Sequence, residues 1–128
     1  ERQHTSGQYA PVVGVFMKQR DQGLPLSITG DGSQRRDFVH VNDVAQANIL
    51  AAKSPTNAEL YNVGSGVSYS IKELADIIST NQVYIDKRSG EVQATQSVIS
   101  KITGSLGWYP TVNLKDWLLD IHNEQENA

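Results

Sequence analysis

Gly30-Asp31-Gly32-Ser33-Gln34-Arg35-Arg36-Asp37-Phe38-Val39-His40-Val41-Asn42-Asp43 is the stretch on which the reading of this chain turns. Two glycines two apart make a tight turn in which the backbone adopts φ > 0. Two arginines follow, then an apolar-alternating run (Phe38, Val39, Val41) that reads as a short strand over 37–41, with Asn42 or Asp43 as the cap of a helix. A turn that delivers a guanidinium to the end of a strand suits a phosphate or a carboxylate, because the planar fork bonds two oxygens at once. A surface turn with solvated charges explains the same residues, and physics alone does not choose between the two.

Upstream, residues 1–9 are polar and read as loop, and Pro11 suits the first turn of a helix. Val12, Val15, Phe16 and Gln19 then fall on one stripe, and Gly23 stops the helix. Leu24–Thr29 reads as a strand with Leu26 and Ile28 on one face. Downstream of the turn, the helix that starts at 42 or 43 carries Val44, Ala47, Leu50 and Ala51 and ends before Ser54-Pro55. Leu60–Val63 reads as a strand broken by Gly64-Ser65-Gly66, and Ser70 and Glu73 have capping-box spacing ahead of Leu74, Ile77 and Ile78. Val83–Ile85 is a further strand, 99–106 a short helix interrupted by Gly107 and Pro110, and Asn113 starts a last helix with Trp117, Leu118 and Ile121 inward. The tail 122–128 is expected to fray. Short strands separated by helices give an α/β fold in one domain, 1–128.

Composition narrows the function. A net charge of −3 and a pI near 5.5 argue against a nucleic-acid binder, which needs a basic face. With no cysteine, disulfides and thiolate metal sites are excluded, and a cytoplasmic setting is the default. No apolar run reaches the roughly 20 residues of a membrane helix. The opening residues carry neither an apolar signal segment nor an initiator Met, as in a fragment of a longer protein.

Each candidate for chemistry has a structural explanation beside it. Gly64-Ser65-Gly66 has Asp86 about 20 residues on, where a dinucleotide site places its ribose acid. The third glycine of that fingerprint is Tyr69, however, and a turn before a capped helix accounts for the two glycines. His4, His40 and His122 lack metal-ligand spacing, and His40 suits a bonded structural role. Asp31, Asp37 and Asp43 read as turn former, arginine partner and helix cap. Arg36 and Arg88 remain, with Glu91 three residues beyond Arg88. If the fold joined those loops, two guanidiniums could clamp a diphosphate and a carboxylate could take a sugar hydroxyl pair.

Four motifs in order carry a family resemblance: Leu24–Ala45 with its Gly-Asp-Gly turn and Arg36-Asp37-Phe38-Val39, then Tyr61–Gly66, Arg88-Ser89-Gly90-Glu91, and Leu106–Thr111. Together they resemble the C-terminal, substrate-binding part of extended short-chain dehydrogenase/reductases, the NAD-dependent nucleotide-sugar epimerases and dehydratases. Within that family the chain is most similar to the UDP-glucose 4-epimerase-like branch. The resemblance implies a small α/β substrate-binding domain of short strands and several helices, with the Rossmann domain absent from this chain. It implies a parent isomerase in which NAD is held by that missing domain, with none bound here.

In the parent, the resemblance makes Arg36 and Arg88 the clamp on a UDP-sugar diphosphate, Glu91 the ribose acid, and Ser27, Ile28 and Thr29 the backbone lining of the base. Thr29 stands where an aromatic is common, Asn42 where an aspartate is usual, and Val98 where an aspartate often precedes Ile-Ser-Lys. The family's Tyr-x-x-x-Lys pair has no match in this chain, so no catalytic residue is assigned and the fragment alone is expected to be inactive. A homodimer is expected of the parent, and neither nucleic acid nor membrane is an expected partner. A dehydratase or decarboxylase parent, or a stand-alone nucleotide- or carbohydrate-binding module, remain the alternatives.

Overall fold

A computed structural model describes residues 3–7 and 10–126, with the side chains of 124–126 excepted. The expected loop at 1–9 and the expected fraying of 122–128 therefore lie partly outside the described residues. Elements run α1 (Val12–Asp21), β1 (Leu26–Thr29), β2 (Arg35–Asp37), α2 (Val41–Lys53), β3 (Ser68–Ser70), α3 (Ile71–Ile78), β4 (Gln82–Ile85), α4 (Ser100–Leu106) and α5 (Leu114–Glu126). The fold is a small mixed α/β arrangement. It divides into two compact units, Glu1–Gln34 with Ser70–Gln93, and Arg35–Tyr69 with Ala94–Ala128.

The first unit is a parallel β1–β4 pair in which Leu26 sits opposite Gln82 and Thr29 opposite Ile85, with α1 and α3 packed on β1. Parallel neighbours need a crossover connection, and α3 leads directly into β4. Leu26 and Ile28 are fully buried with Phe16 from α1 and Leu74 and Ala75 from α3. This is the face that alternation in 24–29 predicts. The capping box that opens α3 is complete: Ser70 Oγ accepts from Glu73 N–H at 3.0 Å and a Glu73 carboxylate oxygen accepts from Ser70 N–H at 2.6 Å. Gly30 and Gly32 have φ of +66° and +76°, as the turn requires. A Cβ on Gly32 would also lie 2.9 Å from Ile28 Cγ2, so the turn is pressed against the core.

The second unit pairs β2 with β3 and packs Ala47 of α2, Ile102 of α4 and Trp108 into a core flanked by Leu50, Tyr61 and Val63. Three expectations are corrected here. The strand after the Gly-Asp-Gly turn covers 35–37 rather than 37–41, because His40 Nδ1 accepts from Asn42 N–H at 3.2 Å and caps α2 at Val41. His40, not Asn42 or Asp43, is the cap. Leu60–Val63 forms no strand, although Tyr61 and Val63 face the core and Leu60 is exposed as alternation predicts. Period-two burial needs only a neighbouring core, whereas a strand also needs a partner for its N–H and C=O groups.

At the C-terminus, α5 begins where Asn113 Oδ1 accepts from Lys115 and Asp116 N–H groups, and it continues to Glu126, well into the segment expected to fray. Leu118 is its buried anchor.

Gly64 tests the packing of the second unit. A Cβ there would fall 2.5 Å from Ser97 Cβ and 2.9 Å from an Asp37 carboxylate oxygen. Gly64→Ala is therefore expected to cost about 2 kcal/mol by overpacking, read as a lowered urea midpoint at unchanged slope.

Candidate functional site

β1 sets the geometry of the first unit's site. Leu26 N–H donates to Asn81 O and Gly30 N–H to Ile85 O, so even-numbered residues turn their backbone groups to β4. Ile28 follows them and puts its side chain in the core. Ser27 and Thr29 turn their backbone groups to the opposite edge of β1. On that edge Ser27 N–H donates to Gln19 Oε1 at 3.1 Å, and Thr29 O accepts from Gln34 Nε2 at 2.9 Å.

Beyond the end of β1 lies a cavity of about 350 Å³ around the Gly30–Ser33 turn, bordered by Thr29, Gln34, Lys87, Glu91 and Gln93. Asp31 shapes the turn by accepting from Ser33 N–H at 2.9 Å, and these Ser33 bonds hold its carboxyl below the ordinary carboxylate value. Gln34 Nε2 also donates to Glu91 Oε1 at 3.4 Å, and Gln93 Nε2 donates to Ser33 Oγ at 3.2 Å. Thr29 and Glu91, far apart in sequence, thus border one cavity. Arg88 is exposed on the same loop as Glu91. Gln34 is not among the candidate site residues that the sequence suggests. Its one signal was its place directly after the glycine turn, and its burial to 6% exposure needed the fold.

Arg36 belongs to the second unit, where it is half-buried and its Nη1 donates to Arg35 O at 2.7 Å. Its neighbour Arg35 is committed to β3: Nε donates to Ser68 Oγ at 3.1 Å and Nη2 to Ser68 O at 2.6 Å. Asp37, expected to partner an arginine, instead accepts from Ser65 N–H at 2.7 Å, Ser65 Oγ at 2.6 Å, Gly66 N–H at 3.0 Å and Ser97 N–H at 2.9 Å. Burial pushes its pKa up, and the bonds from Ser65, Ser97 and Gly66 together bring it below the ordinary value.

That network decides the Gly64-Ser65-Gly66 question. The loop amides that would face a dinucleotide pyrophosphate already serve a carboxylate of the same unit, and the residues here do not fit NAD. Asp43, expected as a cap, is buried at 2% exposure and accepts from Thr111 N–H, Thr111 Oγ1 and Val112 N–H at 3.0, 2.7 and 3.0 Å. His40 stacks edge-on with Trp117 at 6.0 Å between ring centroids. Among the described residues no group of three or more His, Asp or Glu is disposed to hold a metal ion, and no helix is long and apolar enough to cross a membrane.

Residues 2–64 match the model of the NAD dependent epimerase/dehydratase family, and the chain belongs to that family. A Methanocaldococcus jannaschii relative named for UDP-glucose 4-epimerase activity is 37% identical over 99% of this chain and 42% of its own length. The Thermotoga maritima UDP-glucose 4-epimerase, solved with UDP-glucose, superposes with a TM-score of 0.84 at 32% identity, over 91% of this chain and 39% of that one. The Bacillus cereus UDP-glucuronic acid 4-epimerase, solved with UDP-glucuronic acid and NAD, gives 0.76 at 31% identity over 85% and 37%. The chain spans about two fifths of the length of these relatives.

Proposed function

We propose that this chain is the C-terminal substrate-binding domain of an NAD-dependent UDP-sugar 4-epimerase, holding the nucleotide and diphosphate while residues elsewhere in the parent perform the chemistry. The observation that carries the proposal is the cavity at the end of β1, where Thr29 and Glu91 meet through Gln34 beside an open strand edge. The likeness to epimerases solved with UDP-sugars supports it.

On this reading the Ser27 carbonyl and Thr29 N–H on the open edge of β1 pair with the polar edge of a uracil. Glu91 takes the ribose hydroxyls, and Arg36 and Arg88 hold the diphosphate as charge-assisted donors. Binding energy gathered by groups remote from the reacting carbon orients the sugar for reaction, which is this domain's share of catalysis. NAD is assigned to the Rossmann part of the parent. Having no Tyr-x-x-x-Lys pair, the domain alone is inactive.

Titration calorimetry of the full-length protein with UDP tests the reading, and absence of binding overturns it. Arg36→Ala is expected to weaken UDP-sugar binding by about 2 kcal/mol, the loss of a charge-assisted contact, at unchanged thermal stability. Unaltered affinity would remove Arg36 from the site.

A further inference from the structure

We propose that Gln19 is a positioning residue that sets the frame in which a base is read on the open edge of β1. By covering Ser27 N–H it leaves the Ser27 carbonyl and Thr29 N–H as the one acceptor–donor pair a ligand can use there. The inference rests on the nucleotide-sugar reading above and adds to it a residue and a selectivity for a base that carries its ring N–H.

Gln19 is a polar residue on the stripe of α1 that otherwise carries Val12, Val15 and Phe16. Its main chain is fixed, since its carbonyl accepts from Leu24 N–H at 2.8 Å and closes the link between α1 and β1. Its side chain grips one residue twice: Oε1 accepts from Ser27 N–H at 3.1 Å and Nε2 donates to Ser27 Oγ at 2.8 Å. A planar amide bonded through both of its ends has one orientation.

An open strand edge presents its backbone groups in a row, ready for any partner that matches a neighbouring donor and acceptor. On β1 the row is Ser27 N–H, Ser27 O, Thr29 N–H and Thr29 O, since the even-numbered residues bond β4. Gln19 takes the first of these, and Gln34 Nε2 takes the last at 2.9 Å. Among the described residues nothing bonds Ser27 O or Thr29 N–H. What remains is one acceptor followed by one donor.

A uracil meets that pair with N3–H and an adjacent carbonyl oxygen. An N3-methylated ring brings no donor and leaves the Ser27 carbonyl unpaired, a difference of about 10-fold or more in affinity. Docked on Thr29 N–H, such a ring is confined between Ser27 O on one side and the Gln34 amide on the other. With Gln19 removed, Ser27 N–H becomes a second donor, open on the side that Gln19 vacates. A methylated ring then places a carbonyl oxygen on that donor, so the wrong ligand gains a position and the discrimination shrinks.

The test is the ratio of dissociation constants for N3-methyl-UDP and UDP, measured by calorimetry on the full-length protein. The unsubstituted protein is expected to prefer UDP by about 10-fold or more, and Gln19→Ala, which uncovers Ser27 N–H, to bring the ratio below about 3. Gln19→Ser, too short to reach β1, is expected to do the same, so the test survives if either variant fails to fold. Gln19→Glu should keep the preference, because one carboxylate oxygen accepts from Ser27 N–H while the Ser27 hydroxyl turns to donate to the other. If Gln19→Glu loses the preference as well, the two bonds to Ser27 do not set it and the proposal fails. If Gln19→Ala weakens both ligands alike and keeps the ratio, Gln19 only joins α1 to β1 and the proposal fails too. UDP binding without preference over N3-methyl-UDP in the unsubstituted protein overturns the proposal while leaving the nucleotide-sugar reading intact. No UDP binding at all overturns both.

Discussion

Asp43→Ala is expected to destabilise the second unit by about 4 kcal/mol. Asp43 is 2% exposed, and its carboxylate holds the Thr111–Val112 segment by three hydrogen bonds, from two amides and a hydroxyl. Truncation leaves those donors without their acceptor and opens a cavity beside Trp108, whose Nε1 donates to Asp43 O at 2.9 Å. Asp43→Asn keeps the shape and one acceptor, and about half the loss is expected from it. Urea unfolding followed by tryptophan fluorescence measures both. A loss below about 1 kcal/mol for Asp43→Ala would show that the Thr111–Val112 segment is held by other contacts.

Asp37→Ala comes second, at about 3 kcal/mol. It removes the acceptor for Ser65, Gly66 and Ser97 N–H groups and the Ser65 hydroxyl, and with it the tie between β2, the Gly64-Ser65-Gly66 loop and the segment before α4. The group is less buried than Asp43 and water can replace part of what is lost, which sets the smaller figure.

The two carboxylates share a pH signature. Burial raises the pKa of each, but the bonds from Ser65, Ser97 and Gly66 at Asp37, and from Thr111 and Val112 at Asp43, outweigh it and leave both below the ordinary 3.8. As acid is added the unfolded chain takes up these protons first. The stabilisation is therefore complete above about pH 5 and disappears as pH falls through the folded-state values. Thermal melts between pH 6 and pH 3, working values for the assay, should fall steeply for the native chain, and Asp43→Asn should flatten that fall. An unchanged slope would place the acid sensitivity elsewhere.

Much of the local architecture was legible in the residues because its causes are local. Ser70 and Glu73 stand three apart and close a capping box whatever surrounds them. Gly30 and Gly32 take positive φ because the turn admits no side chain there. Leu26 and Ile28 alternate into a core, and Val83–Ile85 reads as the strand that becomes β1's parallel partner. The ordered motifs likewise carried the family, since a family is written in residue identities.

What the sequence could not carry is every decision that waits for a distant partner. Alternation at Leu60–Val63 is present, but no strand lies alongside to complete the ladder. Asp37 beside two arginines suggests an ion pair, yet its donors come from Ser65, Gly66 and Ser97, up to 60 residues away. Asp43 at a helix start suggests a cap, but that office falls to His40, and the carboxylate reaches Thr111, 68 residues on. Gln34 meets Glu91 across 57 residues. A polar side chain makes different bonds at each place the chain can bring to it, so its role is fixed by which donors arrive. Turn chemistry, caps and burial faces were therefore determined by the sequence itself, because each is settled within a few residues. The carboxylate and amide hubs of the two units were decided only in the tertiary structure, where desolvated donors from remote segments must converge on the nearest acceptor.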